Sequence, residues 1–173
     1  GDAPKKATGT RLRAWPDPTF FDSPTIPLPQ LERLLRSKAL LLPGLQVSLT
    51  VEDGASSEWC FAKGMVQYLS EQLDAEMVAP VFSSEKYVAK GDETFPFGSG
   101  AAWAICWTAE GALARESYVN LIPTTAGGTH EAGLRQATLD AIRSFAEHHA
   151  LLPKGVKLAA EDVFARASFV LAV

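Results

Sequence analysis

Cysteine is scarce in this 173-residue chain, with only Cys60 and Cys106, each beside a tryptophan in a strand-like run. Two such residues build no disulfide framework and lack metal-ligand spacing, so both read as small buried hydrophobes, and a reducing cytoplasm is the expected compartment. Long apolar runs are absent as well. No stretch approaches the roughly 20 residues that span a bilayer and no signal peptide opens the sequence, so neither membrane insertion nor export is expected. Positive charge is in deficit, with 16 Lys and Arg against 20 Asp and Glu and a formal net charge of −4. That balance argues against a surface that grips nucleic acid non-specifically, because such binding is driven by phosphate neutralisation; any DNA contact has to be local. The acidic residues are scattered without metal-ligand spacing, there is no Ser or Cys nucleophile motif, and no repeat or low-complexity tract occurs.

The most informative stretch is Ser117 to Phe145. Tyr118 to Ile122 is rich in β-branched and aromatic residues and reads as a strand, which Pro123 is expected to end because it cannot donate to a ladder. Gly127 and Gly128 allow a sharp turn, and Thr129 is the expected N-cap of a long helix. Leu134, Thr138, Ala141, Ile142 and Phe145 recur at helical spacing and define its buried stripe, with Arg135 one residue off it. A glycine-rich turn opening a helix is either an anion site or a structural turn. This one lacks the Lys-Ser/Thr ending of a phosphate-binding loop and the spacing of a dinucleotide fingerprint. His130, beside Glu131, reads as a hydrogen-bonder that orients the loop rather than as a general base.

Around this stretch the expected elements follow in order. Thr10 to Trp15 alternates as a strand. A helix runs over about 30–42, with Leu31, Leu34, Leu35, the stem of Lys38 and Leu41 or Leu42 inward and Glu32, Arg33 and Arg36 in water. A hairpin joins Leu45–Val51 to Glu58–Phe61 through Asp53-Gly54. A second helix covers about 63–75, a strand of mixed polarity 81–90, and a loop 91–100. In Ala101 to Trp107 the large residues Trp103, Ile105 and Trp107 share one face, and Ala102, Ala104 and Cys106 share the other, as suits a central strand covered on both sides. A short helix over 160–167 and a strand over 168–173 close the chain. This order predicts an α+β fold, one mostly antiparallel sheet with helices on one face.

The wording of two segments resembles a known family. Asn120, Gly127, Gly128, Thr129, His130, Gly133, Leu134 and Arg135 match a strand ending in Asn, a Gly-Gly-Thr-His loop and a helix opening Gly-apolar-Arg. These features resemble the transducer domain in the ATPase subunit of bacterial type IIA DNA topoisomerases. Thr8 to Asp17, T-G-T-R-L-R-A-W-P-D, is similar to the last segment of that subunit's GHKL-type nucleotide-binding domain. The resemblance is strong over 8–50 and 116–173 and weak over 52–115. It implies residues 1–18 as the tail of the ATPase domain and 19–173 as a transducer domain of the left-handed β-α-β type shared with kinases of the galactokinase and mevalonate kinase group. It implies that Gly9, Thr10 and Leu12 border the adenine pocket, that Gly127, Gly128, Thr129 and His130 aim the helix, and that Arg135 points into the cavity through which a DNA duplex passes.

The family's ATP and Mg²⁺ are implied for a full-length enzyme and not for this chain alone, because the catalytic Glu and Asn and the Gln-Thr-Lys loop are not among these residues. The implied partners are DNA, the DNA-cleaving A subunit of topoisomerase IV, and a second copy of the ATPase subunit. Phe20 to Pro24, Asn120 to Thr124 and Leu152 to Leu158 are more similar to the topoisomerase IV branch than to the gyrase branch. The chain opens on Gly1 and stops inside an apolar strand, so a piece of a longer polypeptide is expected. The rival readings are a gyrase transducer, a small-molecule kinase that uses Gly127-Gly128 as its phosphate loop, and an interaction domain without a nucleotide role.

Overall fold

A computed structural model of the chain describes residues 9–23, 25–52, 54–73, 77–112, 114–153 and 155–173. The expectations that rest on residues 1–8, Pro24, Asp53, the end of the second helix at 74–75 and Lys154 lie outside them. The elements are α1 (Leu28–Leu41), β1 (Val47–Thr50), β2 (Ser56–Trp59), α2 (Gly64–Gln72), β3 (Phe82–Tyr87), β4 (Gly100–Trp107), β5 (Arg115–Val119), β6 (Ile122–Pro123), α3 (Thr129–His148), α4 (Ala160–Phe164) and β7 (Ala167–Ala172).

The apolar run of β7, A-S-F-V-L-A, is the signature of a strand buried on both faces, and its first five residues are buried. It takes the middle place in a five-stranded sheet of order β3-β4-β7-β5-β6. Neighbours are antiparallel throughout except β5 and β7, which run parallel with Arg115 beside Phe169. The chain between these two strands, carrying β6, α3 and α4, is therefore a β-α-β crossover. β1 and β2 form the expected hairpin as a separate two-stranded sheet, with Val47 opposite Trp59.

Side-chain parity divides the core. Ala104, Cys106, Val170 and Tyr118 face α1 and α2, where they meet Ala39, Leu40, Phe61, Tyr68 and Leu69. Ile105, Phe169 and Leu171 face α3 and α4, with Leu134, Leu139, Val163 and Phe164. The α+β class and the mostly antiparallel sheet hold, but the helices cover both faces rather than one. The reason is the apolar character of β4 and β7 at both parities, which leaves neither face able to stay wet.

Other expectations need correction. Residues 10–15 form no strand: Leu12 is 86% exposed, and no described residue offers this segment a ladder. Alternation makes a strand only where a partner strand is present. Cys60 is exposed, whereas Cys106 is buried and burial pushes its thiol up to about 11. In α1 the buried residues are Ser37, Ala39 and Leu40, and Leu34 is exposed; Ser37 satisfies its hydroxyl on the Leu34 carbonyl at 2.7 Å, so small residues make the close face. In α3 the buried positions are Leu134, Leu139 and Ala146, while Phe145 is exposed and lies against the His149 ring.

Candidate functional site

The strand expected over 118–122 is two strands. β5 ends at Val119, and Asn120 and Leu121 take left-handed backbone conformations, φ 49° and 67°, that return the chain as β6. Two consecutive positive φ values make the tight hairpin turn whose twist suits antiparallel strands. Asn120 tolerates this geometry, whereas Leu121 is disfavoured there by about 1–2 kcal/mol. Lys38 of α1 donates to the Leu121 carbonyl, and the Asn120 amide donates to Val173 at 2.8 Å, so the turn is held from two sides. Pro123 does not end the strand; it sits on β6 opposite Tyr118, at the sheet edge where a missing donor costs nothing.

Beyond β6 the loop is tied back to β5. The Thr124 amide donates to the Ser117 carbonyl at 2.8 Å, and the Gly127 amide closes a turn on the Thr124 carbonyl at 2.9 Å. Gly127, at φ 70°, occupies a conformation that favours glycine. Gly128 is extended, and the demand there is space: a Cβ would stand 2.7 Å from His130 Cε1. Gly128, not Thr129, takes the cap position, and no side chain caps the helix. Thr129 is the first residue of α3.

A chain of side chains closes the loop. His130 Nε2 lies 3.0 Å from Thr124 Oγ1, Thr124 Oγ1 lies 2.6 Å from Ser117 Oγ, and Ser117 donates to Glu131. Each hydroxyl owns one proton and the carboxylate only accepts, so the order is forced: His130 donates to Thr124, Thr124 to Ser117, and Ser117 to Glu131. The imidazole therefore carries its proton on Nε2. Glu131 lies in the first turn of α3 and meets the positive end of that helix, the place where a bound phosphate would otherwise sit.

Beside this chain of side chains lies a cavity of about 600 Å³ whose walls include Ser117 and Glu131 together with Arg33 and Arg36 of α1, Glu116 and Tyr118, and the loop from Thr124 to Gly127. The Glu116 carboxylate accepts the hydroxyls of both Tyr68 and Tyr118. Burial, and then the hydrogen bond to this carboxylate, raise both phenols above their ordinary value. Arg36 is not simply in water, as expected; its guanidinium lies 5.5 Å from the Tyr68 ring centroid. Nothing in the local sequence pattern singles out this cluster. Its one signal is Glu116 two residues before Tyr118, which places both side chains on the same strand face.

Arg135 is half-buried, with its guanidinium carbon 4.8 Å from the ring centroid of Phe164 in α4. It makes no hydrogen bond or ion pair among the described residues. Gly9, Thr10 and Leu12 lie apart from all this. They are exposed in a segment without helix or strand and make no hydrogen bond among the described residues. No group of His, Cys, Asp and Glu among the described residues could hold a metal ion. Nor is any helix among them long and apolar enough to cross a membrane.

The family model for DNA gyrase B matches residues 62–173. The B subunit of DNA topoisomerase 4 from Escherichia coli K12 is 41% identical over 177 residues, covering 100% of this chain and 27% of that protein. Its counterpart in Pseudomonas aeruginosa PAO1 is 43% identical over 175 residues, with the same two coverages. The chain thus spans 27% of the length of these curated relatives. Among solved structures, the topoisomerase IV ATP-binding domain of Francisella tularensis, in complex with a small-molecule inhibitor, superposes with a TM-score of 0.67 at 32% identity over 91% of this chain and 41% of that one. With the match to the family model running through the sheet, the Gly-Gly-Thr-His loop and α3, the chain belongs to the DNA gyrase B family.

Proposed function

We propose that this chain is the transducer part of the ATPase subunit of a type IIA DNA topoisomerase, of the topoisomerase IV kind, working in the cytoplasm with DNA, the DNA-cleaving A subunit and a second copy of its own chain. Residues 1–18 close the nucleotide-binding domain, and residues 19–173 relay ATP binding and hydrolysis, performed by the rest of the enzyme with Mg²⁺, to the gate that opens the duplex. The relay is a two-state rotation of a rigid body. A central strand anchored on both faces and a loop cross-linked through Ser117, Thr124, His130 and Glu131 suit a body that must turn without deforming.

The observation that carries the reading is the placement of Arg135. Its guanidinium rests on an aromatic face and spends no donor on the protein among the described residues, so its N–H groups are left for phosphate oxygens. A guanidinium holds phosphate without reading sequence, which suits an enzyme that passes any duplex. In the intact enzyme, Arg135→Gln is expected to lose most of the stimulation of ATP turnover by DNA with unchanged thermal unfolding. Stimulation at the wild-type level would end this reading. Supercoiling rather than decatenation by the intact enzyme would move it to the gyrase branch.

The small-molecule kinase reading is disfavoured by Glu131, a carboxylate of the chain's own at the helix end where a kinase would need phosphate. Measurable nucleotide affinity of these 173 residues alone would restore it.

A further inference from the structure

We infer that Phe164 is a positioning residue for Arg135, a reading that rests on the DNA-contacting role proposed for that arginine. A long cationic side chain on an exposed helix surface samples many rotamers, and binding a phosphate has to freeze them. Arg135 has one partner among the described residues, the face of the Phe164 ring at 4.8 Å. Contact with a ring face is a cation–π interaction, and it leaves the N–H groups, which lie in the guanidinium plane around its rim, free to donate to phosphate.

The platform is itself fixed. Phe164 is 1% exposed and meets Phe169 of the central strand edge to face, with ring centroids 6.2 Å apart. The backbone around it is pinned by side chains from two other strands: Trp107 donates to the Val163 carbonyl at 2.7 Å, and Arg115 donates to the Phe164 and Ala167 carbonyls. At the start of α4, Asp162 accepts the Ala159 amide at 2.8 Å. Arg135 is therefore held by a ring whose position is set by β4, β5 and β7 rather than by its own helix. Any rotation of the sheet carries the guanidinium with it, which links α3 to the relay through α4.

The test uses the intact enzyme with both of its subunits, and reads duplex affinity and its salt dependence for Phe164→Leu, Phe164→Met, Phe164→Trp, Arg135→Gln and the double variant Phe164→Leu/Arg135→Gln. Arg135→Gln is expected to reduce the salt slope by about one and to weaken binding. Phe164→Leu and Phe164→Met, which keep bulk but lose the ring, are expected to weaken binding about three- to tenfold, in line with a cation–π contact. Phe164→Trp, which keeps an aromatic face, is expected to bind as the wild type does. In the Arg135→Gln background, Phe164→Leu should cost nothing more.

An undiminished affinity in Phe164→Leu or Phe164→Met, with Arg135→Gln weakened, overturns the positioning role and leaves the arginine's role standing. Equal losses for Phe164→Trp and Phe164→Leu, or a full loss from Phe164→Leu in the double variant, show a merely structural effect and overturn it too. A wild-type affinity and slope in Arg135→Gln would instead defeat the underlying DNA-contact reading.

Discussion

On the face of the sheet covered by α1 and α2, a carboxylate is held between two phenols, with an arginine stacked on one of them. On the face covered by α3 and α4, the core around Phe164 and Phe169 is apolar; Ser117 hydrogen-bonds to Glu131 at its edge, Arg115 donates to the Phe164 carbonyl, and Arg135 sits on the outer surface of the aromatic layer. The two faces share strands but are stabilised differently. Hydrogen bonds at Glu116 are directional and fix one arrangement of α2 against β5, whereas the layer of Phe164 and Phe169 fixes position by shape and lets a cation ride on it.

The largest expected break in this contrast is Phe169→Ala, which opens a cavity in the apolar face and should cost about 3–5 kcal/mol in denaturant unfolding. Next is Glu116→Ala on the polar face. It leaves two hydroxyls of buried tyrosines without their acceptor, at about 1–3 kcal/mol each. Glu116→Gln keeps an acceptor oxygen and should lose less than half as much; an equal loss would show that the charge, not the hydrogen bonds, holds the cluster.

Alkaline unfolding separates the faces without a cavity. Tyr68 and Tyr118 have raised values in the folded state, so above about pH 10, the ordinary phenol value, the unfolded chain gives up protons that the folded chain keeps. Their contribution is complete below that pH and is lost as pH rises, at about 1.4 kcal/mol per pH unit for each phenol. The raised thiol of Cys106 adds a loss of the same sign from about pH 9 to about pH 11. Tyr118→Phe should remove one phenol's share of the slope. A slope unchanged by that substitution would mean that the cluster does not form.

Smaller effects test the loop and the surface. Gly128→Ala pushes the His130 ring away from Thr124 and should cost about 1 kcal/mol, the worth of one hydrogen bond, by thermal unfolding. Glu52→Gln removes the exposed pair with Arg13 and should change stability by no more than about 0.5 kcal/mol, marking residues 9–17 as peripheral to both faces.

Parity makes much of this legible in the sequence. Trp103, Ile105 and Trp107 against Ala104 and Cys106 describe a two-faced central strand by alternation alone, and the glycines after Thr124 mark the entry to α3. What stays hidden depends on neighbours far away in sequence. Asn120-Leu121 is not the Asn-Gly of a familiar tight turn, and it holds because Lys38 and Val173 grip it. Reading the stripe of α3 by size favours Phe145 over Ala146, but close approach to the sheet selects the small residue. Glu116 looks like any strand acid, because the two phenols that claim it include one on α2. Arg135 stands out through family wording, yet its partner Phe164 is visible only once α4 is folded beside α3.

The most direct test of the central claim, that this domain couples nucleotide turnover to duplex transport through Arg135, is the number of strand passages per ATP hydrolysed by the intact enzyme carrying Arg135→Gln. The account predicts a clear fall in that ratio with unchanged thermal unfolding. A ratio equal to wild type would contradict it.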